Sequence, residues 1–411
     1  MKERVLLGIV DFKERNPWPL HQTGYEMEEL VKACNGQVAG KVMCPAHPPE
    51  ASTLIHKGKV QELAGLVTAL EANMVIFSSE LKGRQQRELE EALGVRVLDR
   101  TQLILDIFAR RATSLEGKLQ VELAQLEYRL PRLSGNYEGL SRQGGGIGTS
   151  GPGETKLETD RRRIEQRVDK IKKELVEVTR SRQVKRKKRQ GRYVPLISLV
   201  GYTNAGKSTL LNTITDAEAV TKDGLFTTLD SLARQCNLPN RQKVVFSDTV
   251  GFMHDLPHNL IEAFKATLEE VQSADLLLHV LDVSNPEYLN FKISVDSVLE
   301  QIGALNKPTI LVLNKIDLVA DKGLIVDAHR KFENTVEISA SAKFNIGALL
   351  SLVEDFLAEQ VAEINVVLPM ARMDLVRLAH TEGDVILEEY GADGIHLHAR
   401  VPAHRAELFQ Q

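Results

Sequence analysis

One short segment constrains the fold of this chain more than any other feature. The apolar run LISLV, at residues 196–200, is followed at once by the pattern GxxxxGKS and then by a helical sequence. A strand, a glycine-rich turn and a helix in this order form a phosphate-binding loop, in which backbone amides face the phosphates. The loop and its first helical turn comprise Gly201, Tyr202, Thr203, Asn204, Ala205, Gly206, Lys207, Ser208 and Thr209.

Two side chains of this loop carry predicted chemistry. The ammonium group of Lys207 is expected to reach the β- and γ-phosphate oxygens, and the Ser208 hydroxyl is expected to bind Mg²⁺. Such a loop does not by itself distinguish a GTPase from an ATPase or a kinase. That distinction depends on the motifs that follow it.

A second motif places a carboxylate at the end of another apolar run. KVVFS, at residues 243–247, leads to Asp248, Thr249, Val250 and Gly251. The Asp248 carboxylate can hold Mg²⁺ through water, and the Gly251 amide can meet the γ-phosphate. Because ligands bind at the carboxyl ends of the strands in an open α/β sheet, we expect this motif beside the phosphate loop.

A third motif predicts which base is bound. ILVL, at residues 310–313, leads to Asn314, Lys315, Ile316 and Asp317. A carboxylate at Asp317 can accept the N1 and N2 protons of guanine, whereas adenine lacks this donor pair and would leave a buried charge unpaired. The sequence therefore predicts binding of GTP and GDP, with hydrolysis of GTP.

The fourth motif can be placed in two registers after the strand TVEIS at residues 335–339. The backbone of Ser341-Ala342-Lys343 can bond the guanine O6, and Ile338-Ser339-Ala340 is the alternative. We prefer the later register for its lysine and for the Gly347 that follows. Four motifs in this order, each at the end of a strand, are highly specific.

A candidate switch loop, residues 224–230, lies between the first two motifs. Phe226, Thr227 and Thr228 are expected to contact the nucleotide, and one threonine should complete the Mg²⁺ shell and sense the γ-phosphate. We choose Thr228, so the predicted metal ligands are Ser208 and Thr228. The predicted catalytic residues are Asn204, Lys207, Thr228 and Gly251.

Other potential metal ligands have simpler interpretations. Cys34, Cys44 and Cys236 are an odd number in no paired spacing, so neither a disulfide framework nor a zinc site is supported. Cys44 and His47 form C-x-x-H without a second pair in range. His279 lies inside the apolar run LLLHVLDVS, and we interpret it as a core histidine.

The N-terminal half divides into two patterns. Up to about residue 110, short apolar runs alternate with helical sequences, which favours a small parallel α/β sheet. From about residue 101 the pattern becomes one long helix, and Pro131 is expected to end or kink it. Two apolar stripes predict an antiparallel helical hairpin. The stripes are Leu119, Leu123, Leu126, Leu130, Leu133 and Ile164, Val168, Ile171, Leu175, Val178.

Charge is concentrated in one part of the chain. Residues 161–192 contain fifteen Lys or Arg and four Asp or Glu, whereas the whole chain has a net charge of −4. A basic element on an acidic body attracts phosphate backbones. The alternative is a solvated helix face, which we disfavour because acidic residues that could pair along the helix are scarce there.

A glycine-rich segment lies between the two stripes and is flanked by cations. Glycines allow backbone amides to approach phosphates or bases closely, although composition alone equally allows a linker. The candidate RNA-contacting residues are Arg142, Gly144, Gly145, Gly146, Lys156, Arg161, Arg162 and Arg163.

Composition narrows the class and the location. Apolar residues make up 43% and charged residues 26%, as in globular proteins. No stretch approaches the ~18 apolar residues of a membrane span, and the start of the chain has no secretory pattern, so we expect a cytoplasmic protein. We also expect a monomer.

With these residues in place, the chain resembles the HflX family of translational GTPases over essentially its whole length. The segments that carry the resemblance are residues 99–133, 144–164 and 248–270. It implies a GTPase that binds the large ribosomal subunit and its rRNA and dissociates stalled or stress-inactivated ribosomes. It also implies that the glycine-rich tip reaches toward the peptidyl-transferase region.

Two residues bear on hydrolysis. Phe252 follows Gly251 at the position where Ras-like enzymes have a water-orienting glutamine, and an apolar side chain cannot orient water. Asn204 matches the loop asparagine of GTPases that use K⁺, so K⁺ is a second expected ion beside Mg²⁺. The sequence is therefore typical of a slow intrinsic hydrolase that needs a partner or a monovalent ion.

The expected fold class is α/β, a phosphate-loop GTPase domain with additional parts. We predict an N-terminal α/β domain at 1–108 and an antiparallel hairpin with a glycine-rich tip at 109–193. The GTP-binding domain follows at 194–360, and a small α+β domain at 361–411. The alternatives to action on ribosomes are a GTPase in large-subunit assembly or another RNA-linked process, and a nucleotide-gated binding module with negligible hydrolysis.

Overall fold

The computed structural model describes residues 3–13, 18–133, 152–189, 194–215, 232–254, 264–319, 323–359 and 361–409. These residues form two compact units. The first contains the described residues up to Val176, and the second contains most of those that follow. No helix in these ranges is long and apolar enough to cross a membrane.

The first unit is built on a four-stranded parallel sheet in the order β2-β1-β3-β4. Val5–Val10 of β1 are all buried, as expected for a parallel strand covered on both faces. The strands are β1 (Arg4–Asp11), β2 (Gln37–Pro45), β3 (Met74–Phe77) and β4 (Arg96–Asp99). The connecting helices are α1 (Leu20–Ala33), α2 (Lys57–Ala69) and α3 (Gly83–Leu93).

The region predicted as one long helix from residue 101 is two helices, α4 (Arg100–Arg111) and α5 (Leu115–Leu133). Each of these two helices begins at a side-chain cap that the sequence analysis did not predict. Asp99 accepts the Gln102 amide at 2.8 Å, and the Ser114 hydroxyl accepts the Gly117 amide at 2.9 Å. Pro131 lies inside helix α5 as described, and the residues that follow Leu133 lie outside the described ranges, so the predicted helix end at the proline stays a prediction.

Helix α6 (Pro152–Arg189) has 38 residues and is about 57 Å long at 1.5 Å per residue. The predicted stripes do pack together, through a cluster centred on Leu119, Leu123, Val168 and Ile171. Two ion pairs accompany this cluster, Glu122–Arg167 and Glu127–Lys172. Both join residues that rise together along the chain, an order that a straight antiparallel pair does not produce. The described contacts therefore do not bear out the antiparallel arrangement, which stays a prediction.

The second unit contains a six-stranded sheet in the order β10-β9-β8-β5-β7-β6. All neighbours are parallel except β6, which pairs antiparallel with β7. The strands are β5 (Leu196–Gly201), β6 (Leu232–Asn237), β7 (Lys243–Asp248), β8 (Leu276–Asp282), β9 (Thr309–Asn314) and β10 (Thr335–Glu337).

Helices pack around this sheet and complete its core. Buried apolar residues of β5, β7, β8, β9 and the helices form one hydrophobic cluster. The predicted motifs follow the carboxyl ends of β5, β7 and β9. The helices are α7 (Lys207–Ile214), α8 (Lys265–Gln272), α9 (Tyr288–Gln301), α10 (Gly323–Lys331) and α11 (Ile346–Glu359). The predicted α/β class is confirmed.

The C-terminal segment has the strand, helix, strand, strand order that the sequence predicts. Its sheet is antiparallel, in the order β11-β13-β12, and has its own core of buried residues. The elements are β11 (Val361–Leu368), α12 (Met373–Glu382), β12 (Asp384–Gly391), β13 (Gly394–Pro402) and α13 (Ala403–Ala406).

Candidate nucleotide-binding site

The glycines of the phosphate loop are required by the backbone around them. A Cβ atom on Gly201, whose φ is +153°, would lie 2.3 Å from the Val280 carbonyl oxygen. A Cβ atom on Gly206, at φ +95°, would lie 2.3 Å from Asn314 Nδ2. Larger residues would push the loop away from β8 and from the third motif. Helix α7 starts directly after Gly206, so its first amides face the loop.

Lys207 is held inside this loop. Its Nζ donates to the carbonyl oxygens of Gly201 at 3.0 Å and Tyr202 at 2.9 Å, which aims the ammonium group across the loop. The side chain is 6% exposed, and burial lowers the pKa of Lys207 to about 8, against the opposing effect of Asp248. An ammonium group that is poorly hydrated in this way gains strongly from a phosphate anion.

The two predicted Mg²⁺ residues on β7 and α7 lie together. The Ser208 hydroxyl donates to Asp248 Oδ2 at 2.6 Å, and Asp248 is 1% exposed. A hydroxyl and a carboxylate oxygen are donors that suit Mg²⁺, which keeps most of its shell for water and phosphate oxygens. The donor set at this point of the structure therefore fits the ion.

The second motif lies directly against the phosphate loop. Thr203 donates its amide to the Phe252 carbonyl at 2.8 Å, and Phe252 donates its amide to the Gly201 carbonyl at 3.1 Å. A Cβ atom on Gly251 would be 2.8 Å from Thr203 Cα and 3.3 Å from Lys207 Nζ. A side chain at Gly251 would therefore meet both the phosphate loop and the Lys207 ammonium group.

The other residues of this motif serve the core. The Thr249 hydroxyl donates to the Leu199 carbonyl at 2.7 Å, and Val250 is buried. Phe252 is 2% exposed and packs inside the protein, so it offers neither a polar group nor access to a water molecule.

Asn314 connects the third motif with the first and the fourth. Its Nδ2 donates to the Ala205 carbonyl at 2.9 Å, and its Oδ1 accepts the Ala340 amide at 3.0 Å. Lys315 pairs with Asp282 at 2.7 Å, a partner at the end of β8 that the sequence reading missed. Asp317 lies in the short 3-10 turn that follows β9.

The fourth motif has a geometry that favours the register we left as the alternative. Ser339 and Ala340 are buried and Ala340 bonds to Asn314, whereas the preferred Ser341-Ala342-Lys343 is exposed. Ser339 and Phe344 bond each other's backbone at 3.3 and 2.9 Å and close the loop between them. Lys343 has a positive φ of 54°, the conformation of a turn residue. Lys343, for which we preferred the later register, is therefore a residue of that turn.

His279 is confirmed as a core residue. It is 1% exposed in the middle of β8, and burial lowers its pKa to about 3, with Lys292 and Lys207 acting in the same direction. Its Nδ1 is 3.8 Å from Asp296 Oδ1. The described residues contain no group of three or more His, Cys, Asp or Glu that could hold a metal ion.

Several predicted site residues cannot be placed. Phe226, Thr227 and Thr228 of the switch loop lie outside the described residues, as do Arg142 and Gly144, Gly145 and Gly146 of the glycine-rich segment. Lys156 is part of helix α6, but its side chain is not among those described.

Arg161, Arg162 and Arg163 are on helix α6, and their side chains are 60, 70 and 75% exposed. Each has an acidic neighbour on the same helix, in the pairs Arg161–Glu165 at 2.9 Å, Arg162–Glu158 at 3.7 Å and Arg163–Asp160 at 3.7 Å. The expectation that helical partners are scarce is therefore wrong for these three residues. Exposed pairs of this kind are weak, because water and salt screen them, so a phosphate can compete for the arginines.

Comparison with protein-family models matches three regions of the chain. Residues 22–109 match the family described as "GTP-binding GTPase N-terminal", and residues 111–189 match "GTP-binding GTPase Middle Region". Residues 196–315 match the family described as "50S ribosome-binding GTPase". These regions cover most of the N-terminal unit and the first two nucleotide motifs, and the last region ends at Lys315 within the third motif.

Curated relatives match over most of the chain. GTPase HflX of Caldanaerobacter subterraneus subsp. tengcongensis is 45% identical over 97% of this chain and 91% of its own length. GTPase HflX of Escherichia coli is 43% identical over 84% of this chain and 81% of its own. Among solved structures, a GTP-binding protein from Sulfolobus solfataricus in complex with GDP is similar with a TM-score of 0.46 at 25% identity, covering 87% of this chain and 99% of that one.

Proposed function

We propose that this chain, which belongs to the HflX family of GTPases, acts on the large ribosomal subunit and dissociates stalled or stress-inactivated ribosomes. Two facts support a ribosomal target. The family that matches its nucleotide-binding region is described as ribosome-binding. The observation that carries the proposal is the 38-residue helix α6, whose arginines at its amino-terminal end are largely exposed.

In the proposed site, the γ-phosphate of GTP lies between Lys207 and the Gly251 amide. Lys207 is already oriented by two backbone carbonyls, so it needs little rearrangement when the nucleotide binds. Ser208 and Thr228 would ligate Mg²⁺, and Asp248 would hold it through water. Mg²⁺ would neutralise the charge that develops on the phosphate oxygens.

We assign guanine selection to the loops after β9 and β10, which the Asn314 side chain connects. Asp317 would accept the N1 and N2 protons of the base, and Lys315, held by Asp282, would lie beside it. We assign the bond to O6 to the backbone at Ser339 and Ala340, because Ala340 is the residue that Asn314 fixes. Ser341-Ala342-Lys343 would then form the outer turn of the same loop.

Intrinsic hydrolysis is proposed to be slow. Phe252 is buried and cannot orient the attacking water, so that task has to be supplied from elsewhere. Asn204 is exposed at the mouth of the loop with a positive φ of 62°, a position from which it can help to bind K⁺ near the phosphates. Contact with the ribosomal subunit would supply the remaining catalytic groups.

The basic arm, which is the basic stretch of residues 161–192 that begins on helix α6, is proposed to contact rRNA. Arginines on a helix surface bind phosphate oxygens and fix the position of a protein on RNA without reading its sequence. Arg161, Arg162 and Arg163 would serve in this way beside the glycine-rich segment of Gly144, Gly145 and Gly146, flanked by Arg142 and Lys156.

GTP turnover by the purified chain, with and without large ribosomal subunits, tests the proposal. We expect low turnover by the protein alone and a rise of at least about tenfold with the subunits. The reason is that the partner would supply the group that orients the attacking water. Turnover that large subunits leave unchanged would favour a GTPase with another target. Absence of turnover in both conditions would favour a nucleotide-gated binding module.

A further inference from the structure

The segment after Gly251 is fixed at both of its ends by the phosphate loop. At the first end, Phe252 exchanges backbone hydrogen bonds with Gly201 and Thr203. At the other end, the His254 amide donates to the hydroxyl oxygen of Tyr202 at 3.1 Å. Met253, between them, is fully buried. Residues of the loop therefore determine the course of this segment from Gly251 to His254.

The Tyr202 ring is itself held by helix α9. It stacks on Phe291 with the ring centroids 4.4 Å apart and the planes at 21°. Both rings are buried, at 6 and 7% exposure. A stacked pair of this kind limits the rotation of the phenol, so its hydroxyl group is directed to one place.

Helix α9 also reaches the same segment through a second residue. The Ser294 hydroxyl, one helical turn after Phe291, lies 3.5 Å from the Nδ1 atom of His254 and donates to the Asn290 carbonyl at 2.9 Å. His254 is thus approached on its backbone by Tyr202 and on its ring by Ser294. The phosphate loop and helix α9 therefore both contact His254.

Tyr202 has a second connection to the chemistry. Its backbone carbonyl accepts Lys207 Nζ at 2.9 Å, while its hydroxyl accepts the His254 amide. One residue therefore orients the cation expected at the γ-phosphate and the segment whose Gly251 amide is expected on the same group. A displacement of the phenol would move the two donors relative to each other.

We propose that Tyr202 is a positioning residue for GTP hydrolysis, acting through its hydroxyl on the His254 amide, with Phe291 as the support that holds its ring. This inference rests on the proposed placement of the γ-phosphate at Gly251. Tyr202 touches neither the nucleotide nor the attacking water with its side chain in this arrangement. Its effect is on rate, because the segment it fixes is needed for the γ-phosphate and not for the base or the β-phosphate.

The substitution Tyr202→Phe in the full-length chain tests this role, because it keeps the stacked ring and removes only the hydroxyl. We expect kcat for GTP hydrolysis to fall by about 3- to 10-fold, the kinetic equivalent of one neutral hydrogen bond. Affinity for GDP should change by less than about twofold, since the carbonyl that holds Lys207 is retained. Tyr390→Phe is the matched control, because it removes a hydrogen-bonded phenol from the C-terminal sheet.

A second variant separates positioning from folding. Phe291→Leu should lower kcat in the same direction, and its effect should be less than additive with that of Tyr202→Phe, because both act through one hydroxyl. If Tyr202→Phe leaves kcat and GDP affinity within twofold of wild type while the wild type turns over GTP, the proposal is overturned and the pair is only core packing. If GDP affinity falls as much as kcat, the phenol supports the loop as a whole and the proposal is equally overturned. Failure of the wild-type protein to hydrolyse GTP would instead count against the proposed function.

Discussion

The side-chain oxygen of Asn314 accepts the backbone amide of Ala340 at 3.0 Å. The same side chain donates to the Ala205 carbonyl at 2.9 Å, so one buried amide joins three loops at the carboxyl edge of the sheet. In the proposed function, these joined loops hold the guanine base. The selectivity of the site should therefore depend on Asp317, the one carboxylate of the third motif.

Asp317→Asn should relax the preference for guanine. The amide replaces one of the two acceptor oxygens by a donor, so one of the guanine N1 and N2 protons loses its acceptor and meets a donor, and we expect GTP affinity to fall by at least about tenfold while ATP affinity does not fall. Isothermal titration calorimetry on wild type and variant gives both constants. Equal affinities of the wild-type protein for GTP and ATP would refute the assignment of this motif.

Substitutions of Phe252 should affect stability more than chemistry. Because the side chain is 2% exposed, Phe252→Ala should lower the free energy of unfolding by about 3 to 5 kcal/mol, the usual cost of a cavity of this size. Phe252→Leu retains most of the volume and should keep single-turnover hydrolysis within about threefold of wild type. A loss of hydrolysis in the leucine variant as large as that in Lys207→Ala would show that the ring has a direct catalytic role.

Acid should destabilise the second unit through His279. Burial lowers the pKa of His279 in the folded protein to about 3, whereas an unfolded histidine titrates near 6.5, so between these values the unfolded chain binds the extra proton. Stability is therefore lost as the pH falls below about 6.5, with a slope of at most about 1.4 kcal/mol per pH unit from this residue.

The pH dependence of chemical denaturation tests this account of His279. His279→Leu should flatten the loss of stability between about pH 6.5 and 4, because leucine does not titrate. His21→Gln, which changes a histidine on α1 in the first unit, is the control substitution. An unchanged slope in His279→Leu would mean that other groups cause the acid sensitivity.

The meeting of the first two nucleotide motifs could be predicted, because each motif is local in sequence and ends a strand. Ser208 and Asp248 meet at 2.6 Å for this reason, although they are 40 residues apart. The register of the fourth motif could not be predicted in the same way, because the positive φ of Lys343 is a property of a closed turn. The stacking of Tyr202 on Phe291 depends on how α9 packs beside β5, which no local pattern encodes.

In the N-terminal unit, the strands could also be predicted, but the break between the helices could not. Its strands follow from short apolar runs. Strand β1 (Arg4–Asp11) contains the whole apolar run VLLGIV at residues 5–10. The break between α4 and α5 was missed, because the cap at Ser114 is a single polar residue within a helical pattern. The ion pairs of Arg161, Arg162 and Arg163 were missed because two of the partners, Glu158 and Asp160, precede the basic stretch.

Neutral substitution in the basic arm should weaken ribosome binding and spare nucleotide binding. Arg162→Gln should reduce the slope of log affinity against log salt by about 0.7 to 0.9 if one phosphate contact is lost. Arg84→Gln is the matched control, since Arg84 is 67% exposed and has a helical partner at 3.7 Å, close to the 70% and 3.7 Å of Arg162. Equal slopes for the two variants would indicate that α6 is a solvated helix.

Sedimentation of intact ribosomes with the full-length protein tests the central claim most directly. Samples with GTP, a non-hydrolysable GTP analogue and GDP are compared at one salt concentration, since affinity for RNA depends strongly on salt. The account predicts that the protein migrates with the large subunit and that intact ribosomes separate into subunits with GTP or its analogue but not with GDP. Intact ribosomes in all three samples, with the protein remaining at the top of the gradient, would contradict it.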